Sequence, residues 1–326
     1  MNEPSLRTGV IGTGSMGTNH VRVHQELPET DLVGIFDDNE ARMQRVASEY
    51  ETTTRTFDEL LNRVDAMSIA VPTEHHYHTV RACIDAGVHV LVEKPFVDSV
   101  RKGRSLIEFA EANDVVLQVG HIERFNPAVI ELLSLCNDLD IVSIDAQRLS
   151  PPPNRQIDES VVLDLMIHDI DIMLQLLDDP VDINAMGTED GEYATATVSS
   201  ASGEIGRLTA SRVTQEKVRT LGISATDARV TVDFINQSID ICRQSAPEYI
   251  RDDGTVNYRH ETIVENLVVE HREPLKNQIT AFAEAVRNNT EPVVTGEDGL
   301  RAVQIAQRIE GLVDVPRESE AVLPTP

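Results

Sequence analysis

Lysine is almost missing from this sequence. Lys94, Lys102, Lys217 and Lys276 are the only four among 28 basic residues, and 55 acidic residues bring the formal net charge to −27. A field of that sign repels nucleic acid and anionic membranes, so neither is expected as a partner. The acidic excess is spread along the chain and does not gather in a tail. That is the pattern of a halophilic surface, where concentrated salt screens the self-repulsion. Cysteine is scarce as well. Cys83, Cys136 and Cys242 are far apart and odd in number, which speaks against a disulfide framework and against a zinc site. All three read as small core or semi-buried residues. No apolar run approaches the roughly 18 residues that cross a bilayer. The first residues lack the charged-then-apolar order of a secretory signal, so a cytoplasmic protein is expected. Repeats and low-complexity segments are also missing. The 326 residues leave room for two domains with sizeable cores.

The first signal lies between Val10 and Asp37. A short apolar strand, Leu6 to Ile11, runs into Gly12, Gly14 and Gly17, spaced G-x-G-x-x-G within V-I-G-T-G-S-M-G. Gly12 permits a tight strand-to-helix turn, Gly14 lets a pyrophosphate approach the backbone, and Gly17 lets the helix pack on the strand. Thr13, Ser15 and Met16 complete the loop, and the helix N-terminus presents free N–H groups to the phosphates. Asp37 follows Gly17 by twenty residues, at the end of a second apolar strand. It can accept hydrogen bonds from ribose hydroxyls and would repel a 2′-phosphate, which favours NAD over NADP.

Strand and helix alternate up to about residue 120. Strands are expected near Leu6–Ile11, Leu32–Phe36, Thr52–Thr56, Ala66–Ala70, Val88–Val92 and Val115–Val119, with helices near 17–27, 39–50, 57–63, 75–86 and 99–113. Gly87 can end the fourth helix, and Asp98 or Ser99 can cap the fifth. This alternation predicts an α/β fold with a doubly wound parallel sheet over residues 1–122. Beyond that point the pattern changes. Asn126-Pro127 reads as an N-cap with proline at the first helical position, opening a helix to about 137. A strand at 141–149 follows, then an apolar helix at 161–177, then strands to about 269. Turns are expected at Ser202-Gly203, Thr226-Asp227 and Asp252-Asp253-Gly254. Residues 123–326 thus read as an α+β domain with a mainly antiparallel sheet, one face of which is left free for a partner subunit. Helices near 274–289 and 297–313 are expected to pack back on the first domain.

Four segments carry candidate chemistry. V-L-V-E-K-P at 90–95 ends the fifth predicted strand, where a doubly wound sheet holds its ligand. Lys94 can donate there to a substrate oxygen and stabilise developing charge, or it is a solvated strand-end lysine. D-L-M-I-H-D-I-D at 164–171 puts Asp164 and His168 four residues apart, on one helix face. His168 can serve as a general base and Asp164 can hold substrate or orient the imidazole, or the histidine is structural. His75, His76 and His78 follow V-P-T at 71–73. Three near-contiguous histidines without a fourth ligand make a poor metal site, and a helix start at the crevice is preferred. H-I-E-R-F-N-P at 121–127 offers Arg124 for a phosphate or carboxylate, or for a salt bridge at a domain hinge.

In this order and spacing, G-T-G-S-M-G, V-P-T-E-H, E-K-P and D-L-M-I-H-D-I-D resemble the Gfo/Idh/MocA family of oxidoreductases over nearly the whole chain. The resemblance implies a Rossmann domain followed by a mainly antiparallel α/β domain, a nicotinamide cofactor, oxidation or reduction of a CH–OH group on a sugar, cyclitol or related polyol, and a homodimer or homotetramer formed through the open sheet face. It implies Lys94 and His168 as catalytic residues with Asp164 beside them, and a cis bond before Pro95. It places Pro72, Thr73, His75, Glu93 and Lys94 along the cofactor together with Gly12–Gly17 and Asp37. The family's frequent glycine run before that aspartate is replaced here by Ser160-Val161-Val162-Leu163. The segment at 121–127 is most similar to members acting on UDP-linked amino sugars, which implies oxidation of a 3-hydroxyl. Arg124, Asn126, Arg155 and Arg148 are then candidates for the substrate and its diphosphate. Alternatives are a free polyol such as inositol or glucose, NADP-linked reduction of an imine or enal, and a cofactor-sensing regulator without catalysis.

The surface charge yields the first prediction: the melting temperature falls when KCl is lowered from molar to millimolar. An unchanged melting temperature would refute a salt-adapted surface.

Overall fold

The computed structural model describes residues 5–136, 139–153, 157, 159–244, 248–252, 255–259 and 261–313. Five parallel strands form the first sheet: β1 (Leu6–Ile11), β2 (Thr30–Phe36), β3 (Ala66–Ile69), β4 (His89–Glu93) and β5 (Leu117–Gly120). Their spatial order is β2-β1-β3-β4-β5. Between them run α1 (Ser15–Glu26), α2 (Glu40–Glu49), α3 (Phe57–Leu61), α4 (Thr73–Asp85) and α5 (Val100–Ala112). The central strands do not alternate because both faces are covered; every residue of β3 is buried, and every residue of β4 after His89. Strand order changes direction beside β1, which opens the ligand crevice at the carboxyl ends of β1 and β3.

One predicted strand does not form. Thr52–Thr56 gives only an isolated parallel bridge, Thr54 to Ile35 of β2. Its Thr-rich sequence has high strand propensity, but Thr56 is taken instead as the N-cap of α3, in a reciprocal capping box with Glu59. Asp98 does not cap α5. Its carboxylate accepts from Lys102 at 2.7 Å, and Ser99 occupies the cap position without a side-chain bond. Gly87 follows α4 with φ +70°, as its position at the helix end suggested.

The second sheet has eight strands. A 3₁₀ turn (Ile122–Phe125) leads into α6 (Pro127–Cys136), then β6 (Ile141–Leu149). A π-helical turn (Val162–Met166) runs directly into α7 (Ile167–Leu176). Then come β7 (Asp182–Gly187), β8 (Tyr193–Ser199), β9 (Ile205–Ser211), β10 (Val218–Ala225), β11 (Ala228–Asp233) and β12 (Ser238–Gln244). β13 (Glu248–Asp252) and β14 (Thr255–Arg259) pair only with each other, and β15 (Thr262–Leu267) returns to the large sheet. Its order is β15-β12-β11-β10-β6-β9-β8-β7, antiparallel except for the parallel pair β6–β9. Residues alternate: Ala194, Ala196 and Val198 of β8 point inward, and Thr195 and Thr197 do not. The turns at Ser202-Gly203 and Thr226-Asp227 join neighbouring strands as expected, whereas part of Asp252-Asp253-Gly254 lies outside the described residues.

The chain then returns to its beginning. Leu275, Ile279, Phe282 and Ala283 of α8 (Pro274–Asn288) form a core with Leu6, Val23, Ala66 and Leu91 of the first sheet and its helix. Leu300, Val303 and Ala306 of α9 (Gly296–Val313) join the largest core, which contains residues of both sheets. No helix among the described residues is long and apolar enough to cross a membrane.

Phe282 is 1% exposed at the centre of this closure. Phe282→Ala is expected to destabilise the protein by about 3–5 kcal/mol through lost transfer energy and a residual cavity. Denaturant unfolding measures it, and a loss below about 1 kcal/mol would show that α8 does not seal the first sheet.

Candidate active site

The glycine loop has the form that a dinucleotide needs. Gly12 takes φ +87°, and a Cβ there would lie 2.4 Å from the Ala70 carbonyl oxygen. A Cβ on Gly17 would lie 1.8 Å from the Gly12 carbonyl oxygen, so helix and strand meet backbone to backbone. At Gly14 a Cβ would meet nothing within 4 Å, so the loop surface there is open to a ligand. Gly14 is also the N-cap of α1, which has no side-chain cap and no acidic residue in its first turn. Its first N–H groups and positive dipole end are left for an anion. These features fit a pyrophosphate-bearing cofactor.

Asp37 closes the other side of the loop. Its carboxylate accepts from the Thr13 N–H at 2.6 Å and hydroxyl at 2.8 Å, from the Asn39 N–H at 2.7 Å, and from both Nε and Nη2 of Arg42. Burial raises its pKa, but the Arg42 and Thr13 bonds outweigh that and hold it at about 2. Asp37 is therefore an anion at the end of β2, with Arg42 beside it.

The E-K-P segment leaves β4 at the crevice, with a cis Lys94–Pro95 bond. His76, buried on α4, lies 2.9 Å from the Pro95 carbonyl through Nδ1 and 2.9 Å from the Val71 carbonyl through Nε2. This ring ties the E-K-P turn to the V-P-T turn. His75 is exposed in the first turn of α4 and His78 stacks edge-on with Tyr77, so the three histidines do not converge. Among the described residues no group of three His, Cys, Asp or Glu could hold a metal. Glu93 is buried against His20 of α1 at 2.9 Å.

Lys94 reaches across to the second sheet's side of the molecule. Its ammonium donates to the Asp164 carbonyl at 2.7 Å and to Asp164 Oδ1 at 3.1 Å. Asp164 sits in the π-helical turn, which widens the backbone before α7, at the place where the family's glycine run is replaced. Asp164 and His168 are four residues apart as expected, yet Asp164 turns to Lys94 and to Arg212, whose Nη1 lies 3.5 Å from Oδ2. Among the described residues nothing joins Asp164 to His168 by a hydrogen bond. Thr73 of the V-P-T turn donates to Glu159 at 3.1 Å, a second link between the two halves.

His168 stands on the first turn of α7, and its Nδ1 is buried without a partner. Burial, then the charges of Lys94 and Arg148, hold its pKa well below the ordinary 6.5. The ring is neutral at physiological pH, the form in which imidazole accepts a proton. His121, which sequence reasoning passed over as a site residue, is wholly buried nearby with both ring nitrogens unpartnered.

The proposed substrate residues at 124–126 are placed differently. Arg124 is buried, with Nε donating to Asp171 at 2.9 Å and Nη2 3.3 Å from Asp298 of α9. The hinge salt bridge is thus the reading that holds. Asn126 is equally committed: its amide donates to Glu123 and to the Phe234 carbonyl, and its Oδ1 caps the Ala128 N–H. Arg148, fully buried, bonds Asp169 through Nε and Nη2 and Glu123 through Nη1 at 2.8 Å. None of the three is available to a ligand here, because a buried guanidinium stripped of its carboxylates would leave uncompensated charge. Arg155 lies outside the described residues.

A doubly wound sheet with an open glycine loop, an acid at the end of its second strand, a lysine at the end of its fourth strand bound to Asp164, and a neutral histidine one turn beyond that aspartate define a nicotinamide-dependent oxidoreductase. Residues 6–121 match the profile described as oxidoreductase family, NAD-binding Rossmann fold, and residues 141–231 match the GFO/IDH/MocA C-terminal domain. The chain belongs to the Gfo/Idh/MocA family of oxidoreductases. It is 34% identical over 315 residues to a UDP-N-acetylglucosamine 3-dehydrogenase of Acidithiobacillus ferrooxidans, covering 95% of this chain and 97% of that one. A solved structure of that enzyme superposes with a TM-score of 0.87 at 33% identity, covering 95% and 98% of the two chains. An inositol 2-dehydrogenase of Rhizobium meliloti is 25% identical over 93% of this chain and 95% of its own.

The neutral state of His168 sets the pH behaviour. The unfolded histidine takes a proton near pH 6.5 and the native one only far lower, so stability is kept above that range and falls as the pH drops through it. In kcat/KM the acidic limb is expected below pH 6.5. A limb at or above 6.5 would remove His168 as the neutral base.

Proposed function

We propose that this protein oxidises the 3-hydroxyl of a UDP-linked N-acetylamino sugar with NAD. The observation that carries the chemistry is a Lys94 ammonium held at the end of β4 by the carbonyl and carboxylate of Asp164, with its charge acting on the neutral ring of His168 four residues further on. The likeness to the A. ferrooxidans enzyme along nearly the full length of both chains supports the substrate class.

Gly12, Thr13, Gly14, Ser15, Met16 and Gly17 hold the cofactor pyrophosphate, and Asp37 takes the ribose. Pro72, Thr73, His75 and Glu93 border the nicotinamide end. Bound there, the nicotinamide supplies the hydride acceptor. His168 removes the hydroxyl proton as the carbon is oxidised. Lys94 donates to the same oxygen while negative charge builds on it. Asp164 positions Lys94 through two bonds, and Arg212 steadies the far oxygen of that carboxylate. Asp37, ionised and enclosed, favours NAD because a 2′-phosphate would meet it at close range, although Arg42 offsets part of that repulsion.

Lys94→Ala and His168→Ala are each expected to lower kcat by about 10²–10⁴-fold with NADH affinity kept. The decisive assay follows formation of the reduced cofactor in molar KCl, with NAD and with NADP, against UDP-N-acetylglucosamine, inositol and glucose. Turnover with the UDP-sugar and NAD is expected. Turnover only with a free polyol would replace the substrate, and full activity in either variant would overturn the mechanism.

A further inference from the structure

On the second sheet, Arg219 is a half-buried cation that the neighbouring carboxylates do not use up. Arg219 on β10 is the direct cross-strand neighbour of Arg148 on β6. Two carboxylates serve this pair, Glu123 and Asp169, and Arg148 has taken both, at 2.8 to 3.0 Å. The remaining Glu123 oxygen accepts from Asn126. Arg219 is left with a single ion-pair contact, Nη1 to Glu123 at 3.7 Å, and its Nε is buried with no hydrogen-bond partner. A planar guanidinium with unused donors, desolvated on one side, is matched by a bidentate oxyanion. The side chain remains 32% exposed, so such an anion has an approach.

The location is also right. Directly opposed residues of an antiparallel pair share one face, so Arg219 lies on the face of Arg148, whose guanidinium bonds Asp169, the residue after His168 on α7. Lys217, two residues earlier, is exposed and makes no ion pair among the described residues. It is one of only four lysines in a chain of net charge −27. In so acidic a protein an anionic ligand is repelled everywhere except where cations are left unpaired.

We propose that Arg219, with Lys217 beside it, receives the diphosphate of a nucleotide-linked substrate and so makes the enzyme prefer such sugars over free polyols. Arg219 takes the role that Arg124 and Arg148, locked in the hinge, do not fill. The proposal rests on the nucleotide-sugar reading above, and its test separates the two.

The test is titration of the NADH-loaded enzyme with UDP, at fixed KCl, for wild type, Arg219→Gln, Arg219→Lys and Lys217→Gln. Arg219→Gln is expected to weaken UDP binding roughly 10- to 100-fold, the range for a charge-assisted contact. Arg219→Lys restores part of the loss, since it keeps the charge without the fork. Lys217→Gln, at an exposed position that leaves the fold intact, weakens UDP by roughly threefold. NADH affinity stays unchanged in all three. UDP binding that is undetectable in wild type, or equal in wild type, Arg219→Gln and Lys217→Gln, overturns the proposal. Turnover of UDP-N-acetylglucosamine with UDP affinity indifferent to Arg219 would sink this assignment and leave the function standing. Arg219-dependent UDP binding without such turnover would do the reverse.

Discussion

The ammonium of Lys94 is bound by groups from the other half of the molecule, and most of the architecture serves that one contact. A lysine that stabilises an oxyanion must be held in place without being neutralised. Here a backbone carbonyl supplies the shorter bond, 2.7 Å, and the Asp164 carboxylate the longer one, 3.1 Å. Asp164 is in turn shared with Arg212. The π-helical turn gives the carbonyl and the carboxylate of one residue to the same nitrogen. On the Rossmann side, His76 fixes the turn that carries the lysine.

Around this contact lies a second, largely buried set of charges. Arg124 with Asp171 and Asp298, and Arg148 with Glu123 and Asp169, join the 3₁₀ turn, α7, α9 and β6. Buried ion pairs contribute little net stability over apolar packing, but removing one partner leaves an uncompensated charge, so the geometry has few alternatives. Salt, which screens exposed pairs, leaves them untouched. A protein whose exterior carries −27 can thus keep an interior hinge indifferent to ionic strength.

Much of this was legible from the residues. The glycine spacing, the acid after β2 and the strand–helix alternation each have a local cause, so they predicted the first sheet and its crevice. Thr52–Thr56 misled because propensity cannot see that Thr56 is better used as a helix cap. The arginines misled for a different reason. Arg124 sits in a conspicuous segment, but whether a guanidinium is spent or spare depends on carboxylates from α7 and α9, distant in sequence. Arg219 lies in an ordinary strand, and only the count of hydrogen bonds around it shows it to be unspent. The i, i+4 spacing of Asp164 and His168 correctly put both on one element. It missed that a widened turn would send the carboxylate toward Lys94 instead.

The return of α8 to the opening strand has a consequence for how the protein is made. Leu6, Val23, Ala66 and Leu91 leave the ribosome well before the apolar surface that covers them, from Leu275 to Ala283. During synthesis the completed parallel sheet waits with one flank uncovered while the whole second sheet is translated. Contacts of such long sequence separation close late and slowly.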